Sequence, residues 1–124
     1  METIGKIEKV AIGMDDETNG AYTTYNFVIR PNTPVFTMDF MDIDFPPEVT
    51  LPSSASYSCE GDKDKIRSIA CLRRATGVRV QFSNVLVINP DSSFYFKIHN
   101  VRNPPSTRET SPFKLFMLRD RTNL

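Results

Sequence analysis

The segment Met41-Asp42-Ile43-Asp44-Phe45 sets three apolar side chains against two carboxylates in strict alternation. Successive side chains of a β-strand point to opposite faces of the sheet, so the pattern predicts a strand with one buried and one solvated face. Pro46-Pro47 ends the strand, because proline has no N–H to donate to a ladder. One solvated face is typical of antiparallel sheets.

Runs of the same kind lie on both sides of this segment, separated by residues typical of turns. They are residues 6–14, 22–30, 78–82, 94–98 and the run that begins at Phe113. Many short strands with turn residues between them are typical of a sandwich. The sequence therefore predicts an all-β fold, an antiparallel two-sheet immunoglobulin-like sandwich of about seven to nine strands. We expect one domain over residues 1–124, with its core at about 6–119.

The composition agrees with β-structure. Valine, isoleucine and phenylalanine occur nine times each, against five alanines and six leucines, and the first three suit strands better than helices. A charged fraction of 24% and a hydrophobic fraction of 40% exclude a disordered tail. The apolar run Val85–Ile88 is far too short for a membrane span, which needs about 20 residues.

The formal net charge is zero, so the chain lacks the overall basic character of a nucleic-acid-binding protein. The zero hides an asymmetry. Residues 1–64 hold 12 acids and 4 bases, whereas residues 65–124 hold 3 acids and 11 bases. Either strands of the two halves lie side by side and neutralise one another, or opposite charges occupy opposite ends and favour head-to-tail contacts between copies.

Two cysteines, Cys59 and Cys71, flank the charged stretch 60–65, which is typical of a loop. Residues 69–73 fit a helix or a strand, and we favour the strand because it can bring Cys71 beside Cys59. The sequence then predicts a disulfide, which indicates an oxidising, extracellular compartment. Buried reduced thiols are the alternative.

Residues 1–20 lack the apolar core of a secretory leader, so an extracellular chain would be a mature or excised segment. The N-x-Ser/Thr acceptor pattern of N-glycosylation is absent. Any glycan would be O-linked, and the Ser/Thr-Pro clusters around Ser53, Ser106 and Thr110 are its expected sites.

Several segments together carry a resemblance to a known kind of domain. They are Asp44-Phe45-Pro46-Pro47-Glu48-Val49-Thr50-Leu51-Pro52, Cys59, Ile69-Ala70-Cys71, Phe94-Tyr95-Phe96-Lys97-Ile98 and Asn100-Val101-Arg102-Asn103-Pro104-Pro105-Ser106-Thr107. Over about residues 6–119 the chain resembles a β-domain that recurs in large ciliate surface proteins. The resemblance implies an extracellular scaffold module, often in tandem, with no named activity.

No catalytic constellation is visible in the sequence. His99 is the only histidine, and it follows a strand pattern with no serine motif beside it. Two cysteines and one histidine fall short of a tetrahedral zinc set, and the predicted disulfide removes the free thiol. We therefore expect no enzyme, no catalytic residue, no cofactor and no metal site.

Two acidic clusters could hold Ca²⁺, but neither has the spacing of a calcium loop. They are Asp39, Asp42 and Asp44 on one strand and Asp15, Asp16 and Glu17 on one turn. We expect solvent, or pairing with Arg79 or Lys97 on neighbouring strands, to satisfy Asp42 and Asp44.

The last strand is apolar on both faces: Phe113, Leu115 and Met117 alternate with Phe116 and Leu118. It is either a central strand of the sandwich or a strand that docks onto another copy. For contacts between copies the candidate residues are Ile7, Val10, Ile12, Phe113, Leu115, Phe116 and Leu118.

Two functions follow. The first is a non-enzymatic extracellular unit of a surface coat, stalk or fibre, which assembles with copies of itself by head-to-tail or strand-exchange contacts. The alternative is an adhesin-like module that binds carbohydrate or protein through Tyr57 or Tyr95.

Overall fold

The computed structural model describes residues 2–3, 7–90, 92–105 and 113–119, which form ten β-strands and no helix. The strands are β1 (Glu2–Thr3), β2 (Ile7–Met14), β3 (Tyr22–Pro31), β4 (Phe40–Asp44), β5 (Ser56–Tyr57), β6 (Cys59–Gly61), β7 (Ile66–Arg74), β8 (Gly77–Val85), β9 (Phe94–Arg102) and β10 (Lys114–Arg119). Because the described part of the chain is all strand, turn and loop, it offers no helix that could cross a bilayer.

The strands form two antiparallel sheets. One has the order β1-β10-β4-β8-β7-β5 and the other the order β2-β3-β9-β6. The predicted antiparallel sandwich is confirmed. Four pairs, β1·β10, β3·β9, β4·β8 and β5·β7, nest inside one another along the chain. Three of these four pairs lie in the six-stranded sheet, and β3·β9 lies in the other.

The alternation in the sequence builds the core between the sheets. Met41 and Ile43 of β4 are fully buried, and so are Phe27 of β3 and Phe96 of β9. The rings of Phe27 and Phe96 stack with their centroids 5.0 Å apart. Phe113, which precedes β10, packs its ring edge on Phe27 at 6.1 Å. Aromatic pairs in such arrangements add to the stabilisation that burial already gives.

The predicted disulfide is present, and it joins the two sheets. Cys59 lies in β6, at one edge of the four-stranded sheet, and Cys71 lies in β7 of the six-stranded sheet. Their Cα atoms are 6.2 Å apart. A disulfide is typical of an oxidising, non-cytosolic environment.

Three acids of the first half of the chain pair with arginines of the second half inside the fold. Asp42 of β4 accepts two hydrogen bonds from Arg79 of β8, at 2.7 and 2.9 Å. Asp39 accepts a bidentate pair from Arg119 at 2.9 and 3.0 Å, and Asp44 pairs with Arg74. Acids of the first half thus lie beside bases of the second half, as in the side-by-side alternative.

Asn103, just after β9, fastens the β2–β3 turn to the sandwich. Its side-chain amide donates to the carbonyl oxygens of Asp16 at 2.7 Å and Thr18 at 2.9 Å. Its side-chain oxygen accepts from the Tyr25 hydroxyl at 2.8 Å, and its own N–H donates to Ala21. Asn103 is therefore buried with all of these groups satisfied.

Candidate functional site

The two flanks of the sandwich differ. The disulfide closes the flank where β6 and β7 lie. On the opposite flank, β2 is the edge of one sheet, and β1 pairs with β10 only through Glu2 opposite Arg119 and Thr3 opposite Leu118. Among the described residues, 114–117 therefore have no partner strand on that side of β10. We call this side the open flank.

A groove of about 670 Å³ runs along the open flank, between β2 and β10. It is lined by Thr3, Ile7, Val10, Ile12, Phe113, Leu115, Phe116 and Met117. Six of the seven candidate assembly residues line it. The exception is Leu118, which lies opposite Thr3 of β1 and Phe40 of β4. The structure thus brings the first and last long strands together at one surface.

Apolar side chains in this groove are exposed, because none of the described strands covers them. Val10 lies opposite the buried Ile29 and so faces inward, yet 38% of its surface is exposed. Phe116 lies opposite Asp42 on the outer face, and it is 42% exposed. Its neighbour Met117 faces the core and is buried. The last strand is therefore apolar on both faces, with the outer face uncovered.

The carboxylates of β4 are engaged by arginines. The predicted partner Arg79 binds Asp42, whereas Lys97 lies in the other sheet. The pKa of Asp44 is held below its usual value by the Thr76 hydroxyl and also by Arg74. Hydrogen bonds from Arg119 to Asp39 raise the pKa of that guanidinium. The residues that the structure describes contain no group of three potential metal ligands.

His99 lies on the outer face of the four-stranded sheet, next to β6. Its Nδ1 is 2.8 Å from the Thr24 hydroxyl, and its Nε2 is 3.5 Å from a carboxylate oxygen of Glu60. The imidazole ties β3 to β9 and faces β6. His99 is not among the residues that line the groove of the open flank.

Tyr57 and Tyr95, which the sequence names for the alternative binding function, differ in exposure. Tyr57 of β5 lies opposite Cys71 of β7 and faces the core, so it is buried. The expectation that Tyr57 is exposed is wrong. Tyr95 is partly exposed, with the Lys97 ammonium 5.9 Å from its ring centroid. The most exposed aromatic ring is that of Tyr22, at 68%.

Comparison with protein-family models, with curated proteins and with solved structures gives no match to this chain.

Ser53 lies in an exposed loop before β5, so a predicted site of O-glycosylation is accessible there. The other two predicted sites, Ser106 and Thr110, lie outside the described residues.

Sequence reasoning missed the reason why the open flank exists. In the described part of the chain, β1 pairs with β10 through two residues, and two residues carry no periodicity. The sequence places Tyr22 only among several aromatic residues that could form a binding platform and singles out Tyr57 and Tyr95 instead, although the position of Tyr22 at the start of a strand, beside the turn residues Asn19-Gly20, distinguishes it.

Proposed function

We propose that this protein is a non-enzymatic structural module of an extracellular coat, stalk or fibre, and that its copies join by strand addition at the open flank. The observation that carries the proposal is the edge of β10 at residues 114–117, which has no partner strand in the described part of the chain, beside exposed Val10 and Phe116. The inter-sheet disulfide supports the extracellular location, because such bonds persist in oxidising surroundings.

An unpaired strand edge is a template for another chain. It presents N–H and C=O groups that a neighbouring strand can satisfy, and natural proteins usually protect such edges with charge, proline or a covering loop. Within the unpaired edge, residues 115–117 are all apolar and Lys114 is the charged residue, so three of its four positions carry no protecting charge. Strand addition would supply the missing hydrogen bonds and cover Phe116 at the same time.

A second copy of this chain fits the open flank well. A strand added beside β10 has to present apolar side chains inward, toward Val10 and Ile12, and also outward, beside Phe116. β10 itself has this character, with Leu115 and Met117 on one face and Phe116 on the other. Each copy therefore offers both an open flank that can receive a strand and a strand with the apolar pattern that this flank requires.

Substitution of Phe116 tests the proposal. Phe116→Lys places a charge at the open flank and should convert an associating protein into a monomer. Leu72→Lys is the matched control, because Leu72 is 40% exposed on β7, away from the open flank. Size-exclusion chromatography with light scattering and electron microscopy would report association for the wild type and for Leu72→Lys.

The salt dependence gives a second readout. Because Asp39, Asp42 and Asp44 are already paired with arginines of the same copy, apolar contacts and backbone hydrogen bonds should hold the joint. Association should therefore persist at about 1 M salt, where charge attraction is screened. A wild-type protein that stays monomeric at low and high salt would overturn the proposal, and so would equal association of Phe116→Lys and wild type.

A further inference from the structure

A second groove, of about 610 Å³, lies beside the beginning of β3 and the end of β9. It is lined by Tyr22, Thr50, Leu51, Pro52, Ser53 and Asn100. We call it the corner groove. Its lining differs from that of the open flank: two apolar residues form part of the wall, while two hydroxyls, an amide and an aromatic ring supply specific contacts. Ligand sites of this size combine apolar walls with a few polar groups in the same way.

Strand pairing sets three exposed side chains in a row at the corner groove. Tyr22 of β3 lies opposite Arg102 of β9, and Arg102 forms an isolated bridge with Thr50. Directly opposite residues share a face of the sheet, so Tyr22, Arg102 and Thr50 stand side by side. All three are exposed, and Tyr22 is uncovered over 68% of its surface.

Two contacts position the guanidinium of Arg102 and leave its terminal nitrogens unengaged by the described residues. It lies 5.6 Å from the ring centroid of Tyr22, and its Nε donates to the Gly20 carbonyl at 3.1 Å. Its terminal nitrogens have no hydrogen bond to the described residues. They are therefore donors held beside the ring of Tyr22, which lines the groove.

Asn100 contributes a polar group from a constrained backbone position. Its φ is 61°, in the left-handed region that residues other than glycine seldom adopt, and its side chain is exposed. The register between β3 and β9 shifts between Thr23 and Tyr25, opposite this point. A bulge of this kind re-aims a side chain, here into the lining of the corner groove.

From this geometry we infer that the corner groove binds a neutral oligosaccharide. A sugar ring has an apolar C–H face that can stack on Tyr22, and its hydroxyls can accept from Arg102 and exchange hydrogen bonds with Thr50, Ser53 and Asn100. Asn103, the residue after Arg102, donates to the carbonyl oxygen of Asp16 and so holds the acidic turn at residues 15–17 near the end of β9, where we expect it to disfavour an acidic sugar.

Binding of defined sugars tests the inference. The probes are cellohexaose, xylohexaose, mannohexaose and chitohexaose, with oligogalacturonate as the acidic comparison, each titrated into the labelled protein and followed by NMR. At least one neutral probe should shift the backbone amides of Tyr22, Thr50 and Asn100. Oligogalacturonate should bind more weakly than that probe.

Substitutions locate the site. Tyr22→Ala should weaken binding about tenfold, while Tyr22→Phe, which keeps the ring, should stay close to wild type. Tyr95→Ala is the matched control, since Tyr95 is a partly exposed tyrosine beside Lys97, away from the groove lining. Its affinity should be unchanged.

Three results would overturn the inference. They are the absence of binding by all four neutral probes at millimolar concentration, equal affinity of Tyr22→Ala and wild type, and tighter binding of the acidic probe. Phe116→Lys keeps the corner groove intact, so it should bind sugar even where it no longer associates. The two proposals therefore fail independently.

Discussion

The buried side-chain amide of Asn103 connects the β2–β3 turn and β3 to the end of β9. It satisfies two carbonyl oxygens of the β2–β3 turn and the hydroxyl of Tyr25, none of which is near it in the sequence. A buried polar group that loses its partner carries the full penalty of desolvation. The turn and the end of β9 therefore depend on each other through this side chain.

Asn103→Ala should lower the free energy of unfolding by about 2–4 kcal/mol, because it removes three hydrogen bonds and leaves their partners buried. Asn26→Ala is the control, since the Asn26 amide donates to Asp15 at the surface, and its cost should stay below about 1 kcal/mol. Urea unfolding followed by circular dichroism measures both. Equal midpoints for the two variants would contradict this account of Asn103.

A second residue-scale prediction concerns acid. The lowered pKa of Asp44 arises first from the Thr76 hydroxyl. A carboxyl whose pKa is depressed in the folded state stabilises the protein above its unfolded pKa of about 3.9, and this stabilisation is lost as the pH falls through the folded pKa. Stability should therefore decline below about pH 4.

Thr76→Val should raise the pKa of Asp44 toward its usual value and lower the free energy of unfolding at about pH 6 more than at about pH 3. Carboxyl-carbon NMR titration gives the pKa, and urea unfolding at the two pH values gives the stability. For Thr33→Val, whose hydroxyl donates to the Asn32 side chain, the difference from wild type should not depend on pH. A Thr76→Val effect that is the same at both pH values would refute the assignment.

At this scale the sequence predicts which way most strand residues face. Alternation places Met41 and Ile43 inward and Phe116 outward, as the structure has them. It cannot predict the burial of Asn103, because the partners of its side chain are 78 to 87 residues away. It also misplaces Tyr57, whose two-residue strand has no alternation to read.

At the scale of elements, β4 and β8 approach more closely than most side chains would allow. Gly77 lies opposite Asp44, and a Cβ atom at Gly77 would be 1.9 Å from the carbonyl oxygen of Ile43. A backbone atom cannot give way as the end of a side chain can. Glycine at this position is therefore a requirement of the β4–β8 pairing.

Gly77→Ala should destabilise the protein by at least about 2 kcal/mol, because the two strands would have to separate. Gly13→Ala is the matched control, since nothing lies within 4 Å of a Cβ atom at Gly13 in β2, and its effect should stay within about 0.5 kcal/mol. Chemical unfolding of the two variants decides the point. A Gly77→Ala protein as stable as wild type would show that β4 and β8 are not held this tightly.

The sequence predicts most of the long strands, but it does not predict which sheet each joins. Periodicity reports which side chains are buried, and both sheets of a sandwich bury the same kind of face. The pairing of β3 with β9, across more than 60 residues, depends on the whole topology. For this reason the candidate assembly residues could be named from the sequence, while their convergence on one groove could not.

Over the whole molecule, one covalent bond and one open flank lie on opposite sides of the sandwich. Cys59 and Cys71 are 12 residues apart in the chain, and they connect layers that otherwise adhere through apolar contacts. Cross-linking of such a loop removes conformational freedom from the unfolded chain. The disulfide should therefore contribute to the stability of both sheets at once.

Reduction, or the double substitution Cys59→Ala with Cys71→Ala, should lower the free energy of unfolding by about 3 kcal/mol. Urea unfolding with and without reductant measures the loss. The double variant serves as the control for the reductant, which should leave it unchanged. An oxidised wild type with the same midpoint as the double variant would mean that the bond adds nothing to stability.

The position of the Cys59–Cys71 bridge also has a mechanical consequence. A pulling force applied through the chain ends cannot lengthen the segment between the two sulfurs until a covalent bond breaks. At about 3.3–3.6 Å per extended residue, the 12-residue separation keeps about 40 Å of contour length from being extended by force. The oxidised module therefore extends less under tension than the reduced one. Single-molecule extension before and after reduction would measure the difference.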